Sequence, residues 1–263
     1  PAACAAAAEL GFHAIELFAP SAQHIRQLPL QQLLTQHGLS LAAAGTGAGM
    51  LIHQLSLCDP DPARRQQAEQ FISDIIDAAA EFQAPAIIGS MQGRWTENTD
   101  RTTALSLLSA ALHRLGDRAA KAGTVLLYEP LNRYETNLLN TLKAGTEFLK
   151  TNDLKNIRLL ADLFHMNIEE DGMRKAVIEA GDRLGFVHIG ESHRGYLGSG
   201  NVDFDTFFAA LKEVKYQGPI TFESFSSAVV DPSLSNTLCV WRNLWSDSDD
   251  LAKKSIDFMK ARY

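Results

Sequence analysis

Short apolar runs alternate along this chain with longer segments in which apolar residues recur every three to four positions. The first pattern predicts buried β-strands and the second predicts amphipathic helices, so the order strand–helix repeats through the sequence. This alternation is typical of an α/β domain with a parallel sheet, because each parallel strand needs a crossover that returns the chain to the same end of the sheet. The predicted strands are 13–18, 41–45, 86–90, 125–129, 157–162, 186–189 and 220–223.

The predicted helices occupy the intervals between these strands. The clearest begins at Asp61-Pro62, where an Asp suited to cap a helix precedes a Pro at the first helical position. Its apolar face continues through Phe71, Ile72 and Ile75. The Ala-rich opening segment is interpreted as a helix. It is not interpreted as a signal peptide, because it lacks a basic start. Further helices are predicted around 30–36, 105–115, 142–150, 173–180, 204–214 and 251–261.

The number of predicted strands sets the expected fold. The 263 residues match the length of about 250 that is typical of a single (β/α)8 barrel, yet only seven strands are predicted. Because the sequence opens in a helix that leads into strand 13–18, an eight-stranded barrel would need one strand before Pro1. We therefore expect residues 1–263 to form a single TIM-barrel domain whose first strand is missing from this chain. A doubly wound open sheet is the competing architecture.

Composition excludes several classes of protein. Lys and Arg number 24 against 31 Asp and Glu, and the net charge of −7 disfavours a nucleic-acid partner, which needs a cationic face. No apolar run approaches the roughly 18 residues of a membrane span, so no membrane association is expected. Three cysteines without CxxC spacing predict a reducing compartment, and hence a cytoplasmic protein.

The segment GTGAG invites comparison with a dinucleotide-binding motif. Its glycines are Gly45, Gly47 and Gly49, but the fingerprint requires a further Gly at the position occupied by Met50. No helical pattern follows the segment directly. We expect a loop after a strand here.

Four ionisable residues stand at or just after the ends of four successive predicted strands: Glu129, Asp162, His188 and Glu223. They are 33, 26 and 35 residues apart, close to the roughly 30 residues of one βα repeat of a barrel. The four side chains should therefore converge at the carboxyl end of one barrel, where barrel enzymes place their active sites. Three carboxylates and one imidazole form an oxygen-rich donor set that suits Mn²⁺, Mg²⁺ or Co²⁺ better than a metal that prefers thiolate ligands.

Several segments around these positions resemble one known family. YEPLNRYETNLLNT (128–141), ADLFHMNIEE (161–170), VHIGESHRGYLGSG (187–200), ITFESF (220–225) and VWRNLW (240–245) are similar to the metal-dependent ketose 3-epimerases of the D-tagatose/D-psicose type. That family lies within the xylose-isomerase-like superfamily of sugar isomerases and epimerases. The resemblance extends more weakly from GFHAIEL onward, and it implies a TIM barrel, a divalent metal and a sugar substrate.

The resemblance also implies roles for individual residues. Glu129 and Glu223 match a pair of catalytic carboxylates that exchange protons at C3 from opposite faces of the sugar. A homo-oligomer, either a dimer or a tetramer, is implied as well. The matched metal ligands are Glu129, Asp162, His188 and Glu223, and the matched substrate-binding residues are Glu135, His165 and Arg194.

The chemistry is consistent with this interpretation. A proton beside a ketone is only weakly acidic, so its removal needs a positioned base and an electrophile for the developing enediolate oxygen. We therefore predict a ketose 3-epimerase that acts on a ketose or a ketose phosphate. Segments 45–54 and 89–95 depart from the pattern of enzymes for free ketohexoses. Candidate phosphate contacts are Arg94, Arg133 and the loop 195–200.

Three alternatives remain on the same scaffold. An aldose–ketose or hydroxypyruvate-type isomerase would return the proton to the adjacent carbon. A metal-dependent abasic-site endonuclease would need a histidine-rich metal cluster and a basic face, which this acidic chain with eight histidines does not suggest. A sugar-binding protein without turnover would be expected to lose one of the two glutamates, and both are present.

Overall fold

The computed structural model describes residues 1–263, except for the side chain of residue 233. Its seven strands lie close to the predicted segments, and the boundaries differ by no more than two residues at either end. The strands are β1 (Ala14–Phe18), β2 (Ser40–Gly45), β3 (Ala86–Ile88), β4 (Leu126–Tyr128), β5 (Ile157–Asp162), β6 (Leu184–Ile189) and β7 (Ile220–Phe222).

The helices connect these strands and cover the outside of the sheet. None in the described part of the chain is both long and apolar enough to cross a membrane. They are α1 (Ala2–Leu10), α2 (Ala22–Gln27), α3 (Leu30–His37), α4 (Ala48–His53), α5 (Pro62–Ala80), α6 (Arg101–Lys121), α7 (Leu142–Thr151), α8 (Leu163–Glu169), α9 (Met173–Ala180), α10 (Phe204–Glu213), α11 (Pro232–Thr237) and α12 (Ser248–Lys260), with two short 3₁₀ helices at Ser90–Gln92 and Gly181–Arg183.

Strand order distinguishes the two architectures that the sequence left open. Each strand pairs in parallel with the next one in the chain, from β1 to β7, without a reversal. A doubly wound sheet would reverse its strand order at a switch point, so the doubly wound alternative is wrong. The sheet curves into a nearly closed TIM barrel, as the sequence predicted.

Alternation along the strands creates two layers of core. Residues that point outward pack against the helices in the larger hydrophobic cluster. Residues that point inward form a second, smaller cluster that fills the barrel interior, since successive side chains of a strand face opposite sides of the sheet. This inner cluster consists of Ala43, Ile87, Leu127, Leu160 and Phe186.

The barrel is incompletely closed between its first and last strands. Within the described residues, β1 pairs only with β2, and β7 pairs only with β6. A cavity of about 1000 Å³ extends into this gap, where Ile15 of β1, Ile220 of β7 and Met259 of α12 line it. Seven strands with one position of an eight-stranded barrel unfilled confirm the strand count expected from the sequence.

The capping residue and the proline in the sequence predicted the start of α5 correctly. Asp61 caps α5 by accepting a hydrogen bond from the backbone N–H of Ala63, and Pro62 occupies the first helical position as predicted. The expected loop after β2 was wrong in part, because α4 begins at Ala48. A Cβ at Gly49 would lie 2.5 Å from the sulfur of Met91, so this helix packs closely through small residues that carry no helical periodicity.

Candidate active site

Backbone hydrogen bonds fix the four predicted side chains at one end of the barrel. The N–H of Glu129 donates to the carbonyl of Ile88 at 3.0 Å, and the N–H of Glu223 donates to the carbonyl of Ile189 at 2.9 Å. The ladder therefore continues one residue beyond β4 and β7. On the two strands between them, Asp162 and His188 lie directly opposite each other. All four side chains thus leave the carboxyl ends of adjacent strands.

The carboxylates surround one nitrogen of His188. Its Nδ1 lies 3.7 Å from Glu129 Oε1, 3.7 Å from Asp162 Oδ2 and 4.0 Å from Glu223 Oε1. This Nδ1 is buried and has no hydrogen-bond partner among the described residues. A buried polar atom without a partner is costly unless something satisfies it. Ligand atoms of Asp162, His188 and Glu223 lie within 4.8 Å of one another, and this group could hold a divalent metal ion.

A second possible group shares Asp162 with the first and combines it with Glu129 and His165. His165 Nδ1 accepts a hydrogen bond from the backbone N–H of Asn132 at 3.1 Å. A neutral imidazole that accepts at Nδ1 carries its proton on Nε2. The Nε2 of His165, which lies 3.8 Å from Glu129 Oε1, is then a donor and has no lone pair for a metal. His165 is suited to donate a hydrogen bond to a substrate oxygen.

Asn132 connects His165 to Glu135. The backbone N–H of Tyr134 donates to Asn132 Oδ1 at 2.9 Å, which fixes the orientation of the side-chain amide. Its Nδ2 then lies 3.0 Å from Glu135 Oε1 and 2.8 Å from His165 Nδ1. Glu135 and His165, both of which line the cavity, are therefore held by one shared amide.

Arg194 supplies the positive charge of the site. Its Nη1 donates to Glu223 Oε2 at 2.6 Å and to Asp162 Oδ2 at 3.2 Å. The guanidinium is buried, and its carbon lies 3.9 Å from the ring centroid of Phe164 and 5.3 Å from that of Phe225. Stacking between two rings and pairing with two carboxylates both favour a charged arginine in a fixed orientation.

The carboxyl groups differ in their acidity. Burial raises the pKa of Glu129 well above its ordinary value, against the opposing attraction of His188 and Arg194. Burial likewise raises the pKa of Glu223, and Arg194 opposes this shift most strongly. At Asp162, burial is outweighed by Arg194 and the two histidines, so the pKa of this carboxyl is lowered. Asp162 is thereby suited to remain an anion, whereas the two glutamates have both protonation states within reach.

Glycine makes space for one of these carboxylates. A Cβ at Gly89 would lie 2.7 Å from Glu129 Oε2, a distance that forces one of the groups to move. Gly89 follows β3, and the carbonyl of the preceding Ile88 accepts the hydrogen bond from the backbone of Glu129. The same short segment thus fixes the backbone of Glu129 and leaves room for its side chain.

One residue near the site was missed by the sequence analysis. Glu16 lies on β1, and its Oε2 is 2.9 Å from Nε2 of His188. The available signal was a single acidic residue within the apolar strand AIELF, flanked by Ile15 and Leu17, which pack against the outer core. Alternation along the strand turns Glu16 inward.

The candidate phosphate contacts are engaged with protein groups. Arg94 donates to the backbone carbonyls of Tyr134 and Glu135, and Arg133 forms an ion pair with Glu169 at 2.9 Å. In the loop 195–200, the N–H of Gly198 donates to the Glu191 carboxylate at 2.9 Å. The remaining walls of the cavity mouth are largely apolar and include Phe18, Met50, Leu131, Phe225, Leu234 and Leu238.

Comparison with known proteins places this arrangement in context. Residues 4–262 match the family described as Xylose isomerase-like TIM barrel. The L-ribulose 3-epimerase of Methylomonas sp. (strain DH-1) is 46% identical over 265 residues, which cover 99% of this chain and 91% of that protein. The ketose 3-epimerase of Arthrobacter globiformis is 41% identical over 86% of this chain and 78% of that protein.

Solved structures agree with the sequence relatives. The crystal structure of a D-allulose 3-epimerase from Methylomonas sp. in complex with D-allulose superposes with a TM-score of 0.86 at 43% identity. The alignment covers 99% of this chain and 90% of that one. An AP endonuclease of family 2 from Brucella melitensis is 18% identical with a TM-score of 0.72, a similarity that shows the shared fold alone.

Proposed function

Because the chain belongs to the xylose isomerase-like TIM barrel family, and to the ketose 3-epimerases within it, we propose that it inverts C3 of a free ketose with the help of a divalent metal ion. The observation that carries this proposal is the arrangement of Glu129, Asp162 and Glu223 around the unpartnered Nδ1 of His188. It offers four metal ligands, two of which are glutamates with raised pKa values.

The proposed reaction proceeds by proton exchange at C3. A bound metal ion would act as a Lewis acid for the negative charge that develops on the substrate oxygens. One glutamate removes the C3 proton, and the other returns a proton to the opposite face of the planar enediolate. Glu129 and Glu223 follow strands β4 and β7, with two strands between them, so the carboxylates approach the site from different sides. The configuration of the substrate decides which glutamate acts first as the base.

Three further residues are proposed to hold the sugar. His165 donates from Nε2 to a substrate oxygen, since Asn132 occupies its Nδ1. Arg194 donates to oxygens beside the carboxylates that it already contacts, and Glu135 accepts from a hydroxyl group. All three line the cavity. Their hydrogen bonds would fix the C2 carbonyl and its neighbouring hydroxyls so that C3 faces the two glutamates.

Charge distribution favours a free sugar over a sugar phosphate. Among the described residues that line the cavity, the lysine and arginine side chains are Arg194 and Lys260. Arg194 is already paired with two carboxylates, and Lys260 is the last residue of α12, with its Nζ beside Gly11 at the end of α1. Arg94 and Arg133 are held by protein acceptors. A phosphate dianion would therefore find little compensation for its lost hydration.

The proposal extends to the metal, the assembly and the location of the protein. Mn²⁺ is the preferred metal, with Mg²⁺ or Co²⁺ able to replace it, because the donor set is mostly carboxylate oxygen. A homo-oligomer is supported by the exposed ring of Trp241 near the C-terminus, 66% of which is accessible. The free cysteines support a cytoplasmic location. Residues 1–263 are proposed to act as one domain.

Isotope exchange tests the proposed reaction. The Mn²⁺-loaded protein is incubated in D₂O with matched ketoses and ketose phosphates, and deuterium is located by NMR spectroscopy. Deuterium at C3 of a free ketose is expected. Deuterium at C1 or C2 would instead indicate an aldose–ketose isomerase, and exchange confined to phosphorylated sugars would contradict the proposed substrate class.

Substitution of the glutamates tests the proposed mechanism. Glu129→Gln and Glu223→Gln should each lower turnover by about 10²–10⁴, the range expected for loss of a positioned base. Asp162→Asn should act mainly through weaker metal binding, so excess Mn²⁺ should restore part of its activity. Glu170→Gln is the matched control, because this partly buried carboxylate caps α7 away from the site. If excess metal restores the Glu129 and Glu223 variants as fully as the Asp162 variant, the glutamates are only ligands.

A further inference from the structure

The two nitrogens of His188 face different surroundings. Nδ1 points toward the carboxylates of Glu129, Asp162 and Glu223 and has no hydrogen-bond partner. Nε2 lies 2.9 Å from Oε2 of Glu16, a normal hydrogen-bond distance. An ionised carboxylate can only accept a hydrogen bond, so a proton between these two atoms belongs to Nε2. The contact with Glu16 therefore leaves the lone pair of a neutral imidazole on Nδ1.

Glu16 and His188 lie on strands that are not neighbours in the sheet. Glu16 lies on β1, whereas His188 lies on β6, and the two residues are 172 positions apart in the chain. The Glu16 side chain is 17% exposed, and that of His188 is 4% exposed. The contact is thus largely shielded from water, where a charge-assisted hydrogen bond is stronger than on the surface.

Packing alone leaves the orientation of the imidazole incompletely determined. The ring of Phe186 meets that of His188 edge-on, with centroids 5.6 Å apart. This contact restricts movement of the ring, but an aromatic edge does not distinguish between the two nitrogens by hydrogen bonding. The Glu16 carboxylate makes that distinction, because the alternative tautomer would leave it facing an unprotonated nitrogen.

We propose that Glu16 is a positioning residue for the metal centre: it holds the proton of His188 on Nε2 and so presents Nδ1 to the metal ion. The inference rests on the proposed function, since it takes His188 as a metal ligand. Partners of this kind orient a ligand histidine, and their loss typically weakens metal binding by about 10- to 100-fold. The proposed role of Glu16 is exerted through His188.

Metal affinity is the primary test. The affinity for Mn²⁺ is measured by competition with a fluorescent chelator for the full chain and for Glu16→Ala, Glu16→Gln and the control Glu170→Gln. Glu16→Ala should weaken binding by about 10- to 100-fold. Glu16→Gln should have a clearly smaller effect, because its amide oxygen can still accept from Nε2. Glu170→Gln should match the unsubstituted protein.

The outcomes separate this inference from the proposed function. No Mn²⁺ binding by the unsubstituted protein would contradict the proposed function itself. Normal binding by the unsubstituted protein, with Glu16→Ala within about threefold of it, would overturn the role of Glu16 alone. An equal loss in Glu16→Ala and Glu16→Gln would also overturn it, because the negative charge would then matter and the hydrogen bond would not.

A spectroscopic measurement works without any substitution. Long-range ¹H–¹⁵N correlations of histidine-labelled, metal-free protein, recorded at a pH at which His188 is neutral, report which nitrogen of His188 carries the proton. A proton on Nε2 is expected, and a proton on Nδ1 would overturn the proposal. This measurement also decides the matter if Glu16→Ala does not fold.

Discussion

Two histidines of the same site are held in opposite ways. His165 on α8 and His188 on β6 are both buried, and each places a ring nitrogen within 4 Å of Oδ2 of Asp162. At His165, Asn132 donates to Nδ1, so Nε2 faces the site as a donor. At His188, Glu16 accepts from Nε2, so Nδ1 faces the site as an acceptor. The group on the far side of each ring thus decides whether a histidine is suited to bind substrate or metal.

The pKa values of the two histidines are shifted in opposite directions. Burial lowers the pKa of His165, despite the attraction of Asp162 and Glu135, which keeps this imidazole neutral. Burial also disfavours the charged form of His188, but Glu16 and Glu223 outweigh it and raise the pKa of His188. A ring among so many carboxylates attracts positive charge, which a metal ion at Nδ1 would supply.

The largest effect should come from His188. His188→Ala removes a proposed ligand, and Mn²⁺ affinity should fall by more than the roughly 100-fold that loss of an outer partner costs at most. Turnover at fixed metal concentration should fall with it. The measurement is chelator competition, with unfolding of the metal-free proteins as the control for folding. Unchanged affinity would remove His188 from the metal centre and abolish the contrast between the two histidines.

A smaller effect, of a different kind, is expected at His165. His165→Gln should leave Mn²⁺ affinity close to that of the unsubstituted protein, because His165 is proposed to bind substrate. The kcat/KM for the preferred ketose should fall by about 10- to 100-fold, the cost of a hydrogen bond to a developing charge. Steady-state kinetics at saturating Mn²⁺ measure this. A loss of metal affinity comparable to that of His188→Ala would make both histidines ligands.

The smallest effect is expected at Asn132. Asn132→Ala removes the amide that lies beside both Glu135 and His165, but the backbone N–H still donates to His165 Nδ1. The kcat/KM should therefore fall by only about three- to tenfold, equivalent to one neutral hydrogen bond. Metal affinity should not change. A loss as large as that of His165→Gln would show that the side-chain amide, and not the backbone, controls the tautomer.

Much of the fold and part of the site follow from sequence patterns. Short apolar runs predicted all seven strands within two residues at either end, because strands of a parallel sheet that are covered on both faces are almost continuously apolar. Repeat-length spacing predicted that Glu129, Asp162, His188 and Glu223 share one end of the barrel. The short helix α4 escaped prediction, since a helix that packs through glycine and alanine shows little periodicity.

By itself, the sequence determined the order of the elements, the parallel sheet and the strand ends that carry the acidic residues, because these depend on local periodicity and on a regular repeat length. Only the tertiary structure decided what each group contacts. The pairing of Glu16 with His188 joins residues 172 positions apart, and the contact of Asn132 with His165 joins residues 33 positions apart. Neither contact is encoded in spacing, since the curvature of the whole sheet is what brings β1 near β6. The choice between ligand and donor follows from these contacts, because a histidine shows its tautomer only through its neighbours.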